Sequence, residues 1–159
     1  HVEQPLVSVV VIVQDQMDSA QGSGLSLLEH TRYPHYEILL IDNASEQAAT
    51  LEWLQSIEAM ASERLKVLRT PERLTYSDLC NQAALNTLGE YLLLLRAEVA
   101  VLDAGWLDAL MNHALRPEVG AVGPRLVDSD GKITHAGLVL GLRGPASSPF
   151  VGEAADAPG

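Results

Sequence analysis

Cysteine is almost absent from this 159-residue chain; the one thiol, Cys80, excludes an internal disulfide framework and a zinc cluster of thiolates. Aromatic residues make up only 4% of it, so aliphatic side chains must fill most of any core. Basic residues are scarce as well. Ten Lys and Arg stand against 21 Asp and Glu, for a formal charge of −11. A nucleic-acid binder needs a basic footprint to meet phosphates, so no nucleic-acid partner is expected. Long apolar runs are missing too. Residues 7–13 and 91–95 are far shorter than a bilayer span, and no transmembrane segment or signal peptide is expected. No glycine-rich phosphate loop follows any apolar run, which argues against nicotinamide or ATP sites of the usual kinds.

What is present is 47% hydrophobic sequence, enough for one domain with a real core. Short β-branched and leucine-rich runs alternate with stretches of helical period. Val7–Val13 is nearly continuous in apolar residues, as a strand buried on both faces should be. Residues 36–41, 65–69 and 91–95 repeat the pattern, and residues 120–123 are expected to form a fifth strand.

Between the strands, residues 46–61 predict a helix capped by Ser45, and 77–88 one stopped at Gly89. Residues 104–115 predict a third, with Leu107, Leu110, Met111 and Ala114 on one face and Pro117 barring continuation. The first crossover, 18–31, carries Gly22 and Gly24 and predicts only a short helix. Alternation of strand and helix predicts an α/β domain, three-layered and Rossmann-like, with a mostly parallel central sheet. Asp130-Gly131 between apolar stretches predicts a C-terminal β-hairpin. The expected domain spans residues 1–143, with 144–159 a loop or disordered tail.

In an open parallel sheet, ligands bind beyond the carboxyl ends of the strands. The polar residues there are Gln14-Asp15-Gln16, Asp42-Asn43-Ala44-Ser45, Thr70-Pro71-Glu72-Arg73 and Arg96-Ala97-Glu98. Carboxylates gathered in one crevice repel one another unless a cation or hydrogen-bond donors compensate.

Several segments, in order and spacing, resemble the family-2 glycosyltransferases of the inverting class with the GT-A fold. They are similar in particular to bacterial enzymes of O-antigen and surface-polysaccharide synthesis. The segments are Val7-Ser-Val-Val-Val, Tyr33-Pro-His-Tyr-Glu-Ile-Leu-Leu-Ile-Asp-Asn-Ala-Ser45, Tyr76-Ser-Asp-Leu-Cys-Asn81 and Gly89-Glu-Tyr-Leu-Leu-Leu-Leu95. They continue in Gly105-Trp-Leu107, Val119-Gly-Ala-Val-Gly-Pro-Arg-Leu126 and Asp130-Gly-Lys-Ile-Thr-His-Ala-Gly137.

The resemblance implies transfer of a sugar from a nucleotide-sugar donor to a glycan acceptor, in the cytoplasm or peripherally at the inner face of the membrane. It implies that this chain supplies the donor site of a larger polypeptide. Asp15, Asp42, Asn43, Ser45, Asn81 and Arg96 fall at donor-binding positions, and Glu98 at the carboxylate that holds a divalent cation, Mg or Mn. His135 falls near donor or acceptor; its alternative is a structural hairpin histidine. The base that activates the acceptor matches no residue here, so this chain alone is expected to transfer no sugar.

The chain also departs from the pattern. Ile12-Val13 stands where Pro-Thr is usual, and Thr75 where asparagine is common. Arg96-Ala97-Glu98 replaces an Asp-x-Asp-like motif. Arg96 either turns away, into a surface ion pair, or touches phosphate in the metal's place. A degenerate, non-catalytic binding or scaffolding module is the alternative these changes favour.

Overall fold

A computed structural model describes residues 4–15, 27, 30–60, 62–138 and 147–156. The chain divides into two compact units, His1–Leu107 and Asp108–Gly159.

The first unit is built on a four-stranded, fully parallel sheet in the order β3-β2-β1-β4. The strands are β1 (Val7–Val13), β2 (Tyr36–Asp42), β3 (Leu65–Arg69) and β4 (Tyr91–Arg96). The chain steps outward from β1 through β2 to β3, then returns to the other side of β1. That reversal beside β1 is a topological switch point, and all strand carboxyl ends lie along one edge.

The inner strands are buried as their sequences predict. Every residue of β2 is buried, and in β1 only Ile12 is partly exposed. Val10, Leu39 and Ile41 pack with Leu79 and Ala83 of α2 (Tyr76–Asn86). β4, at the sheet edge, instead alternates half-buried and exposed residues.

A polar pair interrupts the apolar centre. The Ser8 hydroxyl donates to Glu37 Oε1 at 2.7 Å and accepts from the Gly89 amide at 2.8 Å. Glu37 Oε1 also accepts from the Leu88 amide at 2.6 Å, and Oε2 faces Lys66 Nζ at 3.4 Å. All polar atoms of this pair are therefore matched, as burial requires. Burial alone would raise the Glu37 pKa. The Leu88 and Ser8 hydrogen bonds and the Lys66 charge outweigh it and hold the carboxyl below its ordinary range.

The helix boundaries differ from those expected. The helix expected over 46–61 is α1 (Ala48–Ala59), and its N-cap, Gln47, makes no side-chain cap bond. Ser45 does not cap it. Asp15, from the end of β1, does so from a distance: its Oδ1 accepts from the Glu46 and Gln47 amides, both at 2.9 Å. α2 starts one residue earlier than expected because Thr75 caps it, accepting from the Asp78 amide and donating to Asp78 Oδ2. It ends at Asn86, with Thr87 extended, so Gly89 is not its stop. Gly89 is required for close approach instead: a Cβ there would lie 2.6 Å from the Ser8 nitrogen.

The expected fifth strand is absent: residues 120–123 are irregular. Two glycines weaken that segment and Pro124 removes a donor beside it, which disfavours strand pairing. The first crossover lies largely outside the described residues; Leu27, within it, is buried. α3 (Trp106–Ala114) buries Leu107 and Met111, and the Trp106 indole donates to Thr31 Oγ1 at 3.1 Å.

In the second unit, β5 (Leu126–Val127) and β6 (Ile133–His135) form the expected antiparallel hairpin. Asp128 Oδ1 accepts from the Asp130 and Lys132 amides across the turn, and Gly131 supplies its positive φ of 74°. Residues 147–156 were expected as loop and are mostly turn. They are nonetheless tied to the hairpin by a Lys132–Ala154 bridge and by reciprocal Ile133–Glu153 and Gly152–Ile133 bonds of 2.8 Å.

Among the described residues no helix is long and apolar enough to cross a membrane.

Candidate donor site

The register places Val13 beside Asp42 and Ile12 beside Arg96, so the segments leaving β1, β2 and β4 emerge together. Two sharp turns redirect the chain there. Asp15 and Ala44 both adopt the left-handed conformation, with φ of 52° and 51°. Aspartate tolerates this region; alanine pays about 1 kcal/mol and must be held by its surroundings.

The hydrogen bonds around Ala44 do the holding. Asp42, buried, accepts from the Ser45 amide through Oδ1 at 3.1 Å. The Ser45 hydroxyl accepts from the Asp15 amide at 3.0 Å. Asn43, also buried, donates to Gln14 Oε1 at 2.9 Å and to the Leu74 carbonyl, and accepts from the Leu74 amide at 2.8 Å. Asn43 thereby ties together the segments after β1, β2 and β3. Asp15 Oδ2 lies 3.7 Å from Arg73.

A cleft of about 650 Å³ opens at this edge. Ile12, Leu74, Leu79 and Leu95 supply its apolar wall, and Gln14, Asn43, Tyr76, Arg96 and Glu98 its polar groups. An apolar wall with a few convergent polar groups, of this size, suits a small organic ligand. Among the described residues Arg96 is the one cation of the lining and Glu98 the one carboxylate. They pair with each other: Arg96 Nε donates to Glu98 Oε1 at 2.9 Å, and Nη2 donates to the same oxygen. The hydrogen bond with Arg96 holds the Glu98 carboxyl below its ordinary range, and Glu98 raises Arg96. Partial burial, with the Cys80 thiol beside it, raises the Tyr76 phenol, while the nearby Arg96 charge opposes this.

Of the residues singled out from the sequence, Asn43, Arg96 and Glu98 meet in this cleft. Asp15, Asp42 and Ser45 lie at the same strand ends, with oxygens engaged by the turn amides just described. Asn81 is exposed on α2 and does not line the cleft. His135 belongs to the second unit; it is half-buried in β6, and its Nδ1 accepts from the Gly137 amide. Gln14 was named from sequence only as one of the polar residues at the strand ends, and Tyr76 was not assigned. The pointer to Tyr76 was its place as first residue of a helix capped by Thr75 at the carboxyl edge. Among the described residues no group of three or more His, Cys, Asp or Glu side chains is placed to hold a metal ion.

The chain is similar to known proteins. The sequence profile of Glycosyl transferase family 2 matches residues 8–149. The chain is 41% identical over 146 residues to the O-antigen biosynthesis protein RfbC of Myxococcus xanthus, covering 92% of this chain and 11% of that protein. It is 39% identical over 142 residues to protein y4gI of Sinorhizobium fredii, covering 89% of this chain and 16% of that one. It thus spans less than a fifth of the length of either curated relative. The mannosyltransferase PcManGT of Pyrobaculum calidifontis, solved with GDP-Man and Mn2+, superposes with a TM-score of 0.67 at 20% identity. That match covers 75% of this chain and 35% of the mannosyltransferase. The fold is the α/β, GT-A type with a parallel central sheet, and the chain belongs to glycosyl transferase family 2.

Proposed function

We propose that this chain forms the donor-binding part of a glycosyltransferase that moves a sugar from a nucleotide sugar to a glycan acceptor in surface-polysaccharide synthesis. The observation that carries the reading is the cleft at the switch point of the parallel sheet, where Gln14, Asn43, Tyr76, Arg96 and Glu98 converge. The membership in family 2 and the likeness to RfbC support it.

In this reading the base and ribose rest against Gln14, Asn43 and the Tyr76 ring. Asp15, Asp42 and Ser45 hold the two strained turns that form the wall. The acceptor oxygen attacks the anomeric carbon in line, a C–O bond forms as the bond to the diphosphate breaks, and the configuration inverts. The acceptor's proton passes to a base that we assign to no residue of this cleft.

The structurally similar mannosyltransferase was solved with GDP-Man and Mn2+. Glu98 is the described cleft carboxylate in position to meet a divalent cation, but its Oε1 is turned to Arg96, and Asp15 and Asp42 each turn an oxygen to loop amides. Among the described residues this donor set does not fit a resident cation. The single cysteine and the nucleotide donor favour the cytoplasmic side, at the inner face of the membrane, within a larger polypeptide.

Equilibrium binding of GDP-mannose and UDP-GlcNAc to this chain tests the reading. Saturable binding, weakened at least about fivefold in Tyr76→Ala through loss of an aromatic contact, is expected. The second reading, a non-catalytic scaffolding module, draws on the Arg96–Glu98 pair standing in the expected metal motif. Absence of saturable binding by any nucleotide sugar would favour it.

A further inference from the structure

We infer that the diphosphate of the donor is met by the Arg96 guanidinium and not by a divalent cation, so that nucleotide binding by this chain is independent of metal. The inference rests on the donor-site reading above and adds to it the identity of the group that answers the phosphate charge.

Three observations carry it. First, Arg96 is the last residue of β4, and the strand fixes its backbone at the carboxyl edge, beside Ile12 of β1. Its carbonyl accepts from the Val99 amide at 3.1 Å, closing the turn that carries Glu98. The position from which a diphosphate would be reached is thus held by a permanent cation. Second, among the described residues no three carboxylates converge to share a metal, and those at this edge each turn one oxygen to a donor. Glu98 Oε1 takes both Nε and Nη2 of Arg96, Asp15 takes the Glu46 and Gln47 amides, and Asp42 takes the Ser45 amide. A divalent ion bound at Glu98 would stand beside the Arg96 charge. Third, the guanidinium has donors to spare. With Nε and Nη2 turned to Glu98, Nη1 remains, and the side chain is 75% exposed at the cleft.

Arginine offers a planar fork that matches phosphate oxygens, so it can answer a diphosphate by charge-assisted hydrogen bonds. Glu98 is then a positioning residue. It holds the guanidinium over the cleft and lowers the net charge of the empty site to zero. An exposed ion pair of this kind is weak, so the diphosphate can also draw Arg96 away from Glu98 at little cost.

The test is binding of UDP and GDP to the whole 159-residue chain, in EDTA and in MnCl2, for the wild type and for R96A, R96K and E98Q. Uridine and guanosine serve as phosphate-free controls. Electron paramagnetic resonance of Mn2+, with and without nucleotide, reports metal capture without any turnover. Expected are affinities that agree within about twofold between EDTA and Mn2+, and a loss of at least about tenfold in R96A. R96K should restore only part of this loss, because lysine lacks the fork. E98Q should change nucleotide affinity by the same factor in EDTA and in Mn2+, nucleoside binding should be unchanged in R96A, and protein should capture no Mn2+ beyond that held by nucleotide alone. Circular dichroism confirms folding of variants at these exposed positions.

Nucleotide binding that requires Mn2+ and is lost in E98Q overturns the inference while leaving the donor site standing. Metal-free binding that R96A does not weaken also overturns it. Failure of every nucleotide to bind under both conditions overturns the inference and the donor-site reading together.

Discussion

Gly89→Ala is the perturbation whose consequence the fold determines most sharply. A Cβ at this position would lie 2.4 Å from Ser8 Oγ, 2.6 Å from the Ser8 nitrogen and 2.9 Å from the Leu6 carbonyl oxygen. Two of these are backbone atoms at the start of β1, where the Glu90 amide donates to Leu6 at 2.9 Å, so the neighbour cannot rotate away. Strand β4 must shift off β1. Overpacking of this kind costs about 1–3 kcal/mol. The shift also strains the Gly89–Ser8 bond and the Ser8–Glu37 pair behind it, and a buried polar group left unmatched costs about 1–3 kcal/mol more. A total of about 3 kcal/mol corresponds to a fall in Tm of about 6–12 °C for a chain of this size. Thermal unfolding followed by circular dichroism measures it. Gly120→Ala is the control: nothing lies within 4 Å of a Cβ there, and a change under about 0.5 kcal/mol is expected. Equal melting temperatures for the two variants would refute the reasoning.

Other consequences follow from the same contacts. Because Glu37 is held below its ordinary pKa in the fold, its stabilisation is fully present above the unfolded glutamate pKa and is lost as pH falls through the lower folded value. Urea midpoints measured across that acid range should decline less in Glu37→Gln than in wild type, and parallel curves would contradict the assignment. Asp15→Ala should cost about 1 kcal/mol by removing the acceptor for the Glu46 and Gln47 amides; an unchanged urea midpoint would count against the cap. Asn43→Ala removes three bonds between the turns and should cost about 2–3 kcal/mol, and a loss under about 0.5 kcal/mol in urea unfolding would show that the turns hold without it.

The inner strands of the sheet were legible because they are buried on both faces. Val7–Val13 and residues 36–41 read as continuous apolar runs, and the structure extends the second only to Asp42. What sequence reasoning missed came from partners distant in the chain. Ser45 precedes α1 and looked like its cap, yet the cap comes from Asp15, 31 residues before the first amide it accepts. Glu37 sat in an apolar run with no visible reason; its reason is Ser8, 29 residues away, and the Leu88 amide, 51 residues away. Gly89 looked like a helix stop because local pattern cannot reveal a close approach to β1. Residues 120–123 looked like a strand from Val122 and their position in the order, but glycine and proline chemistry left them irregular.

At the candidate site the distinction is similar. That Asn43, Arg96 and Glu98 would meet followed from their places after β2 and β4 once the strands were parallel. That Arg96 would pair with Glu98 was within reach of a two-residue spacing. That Asp15 and Asp42 would be committed to turn amides was not, because it depends on the left-handed turns at Asp15 and Ala44. Tyr76 enters the cleft because α2 begins at the carboxyl edge.

Amide chemical-shift mapping during titration with UDP and with GDP tests the donor cleft most directly. The account predicts saturable shifts grouped at Gln14, Asn43, Tyr76, Ala97 and Glu98, around the ends of β1, β2 and β4. Shifts confined to the small pocket of the second unit beside Arg125 and Phe150, or no shifts with either nucleotide, would contradict it.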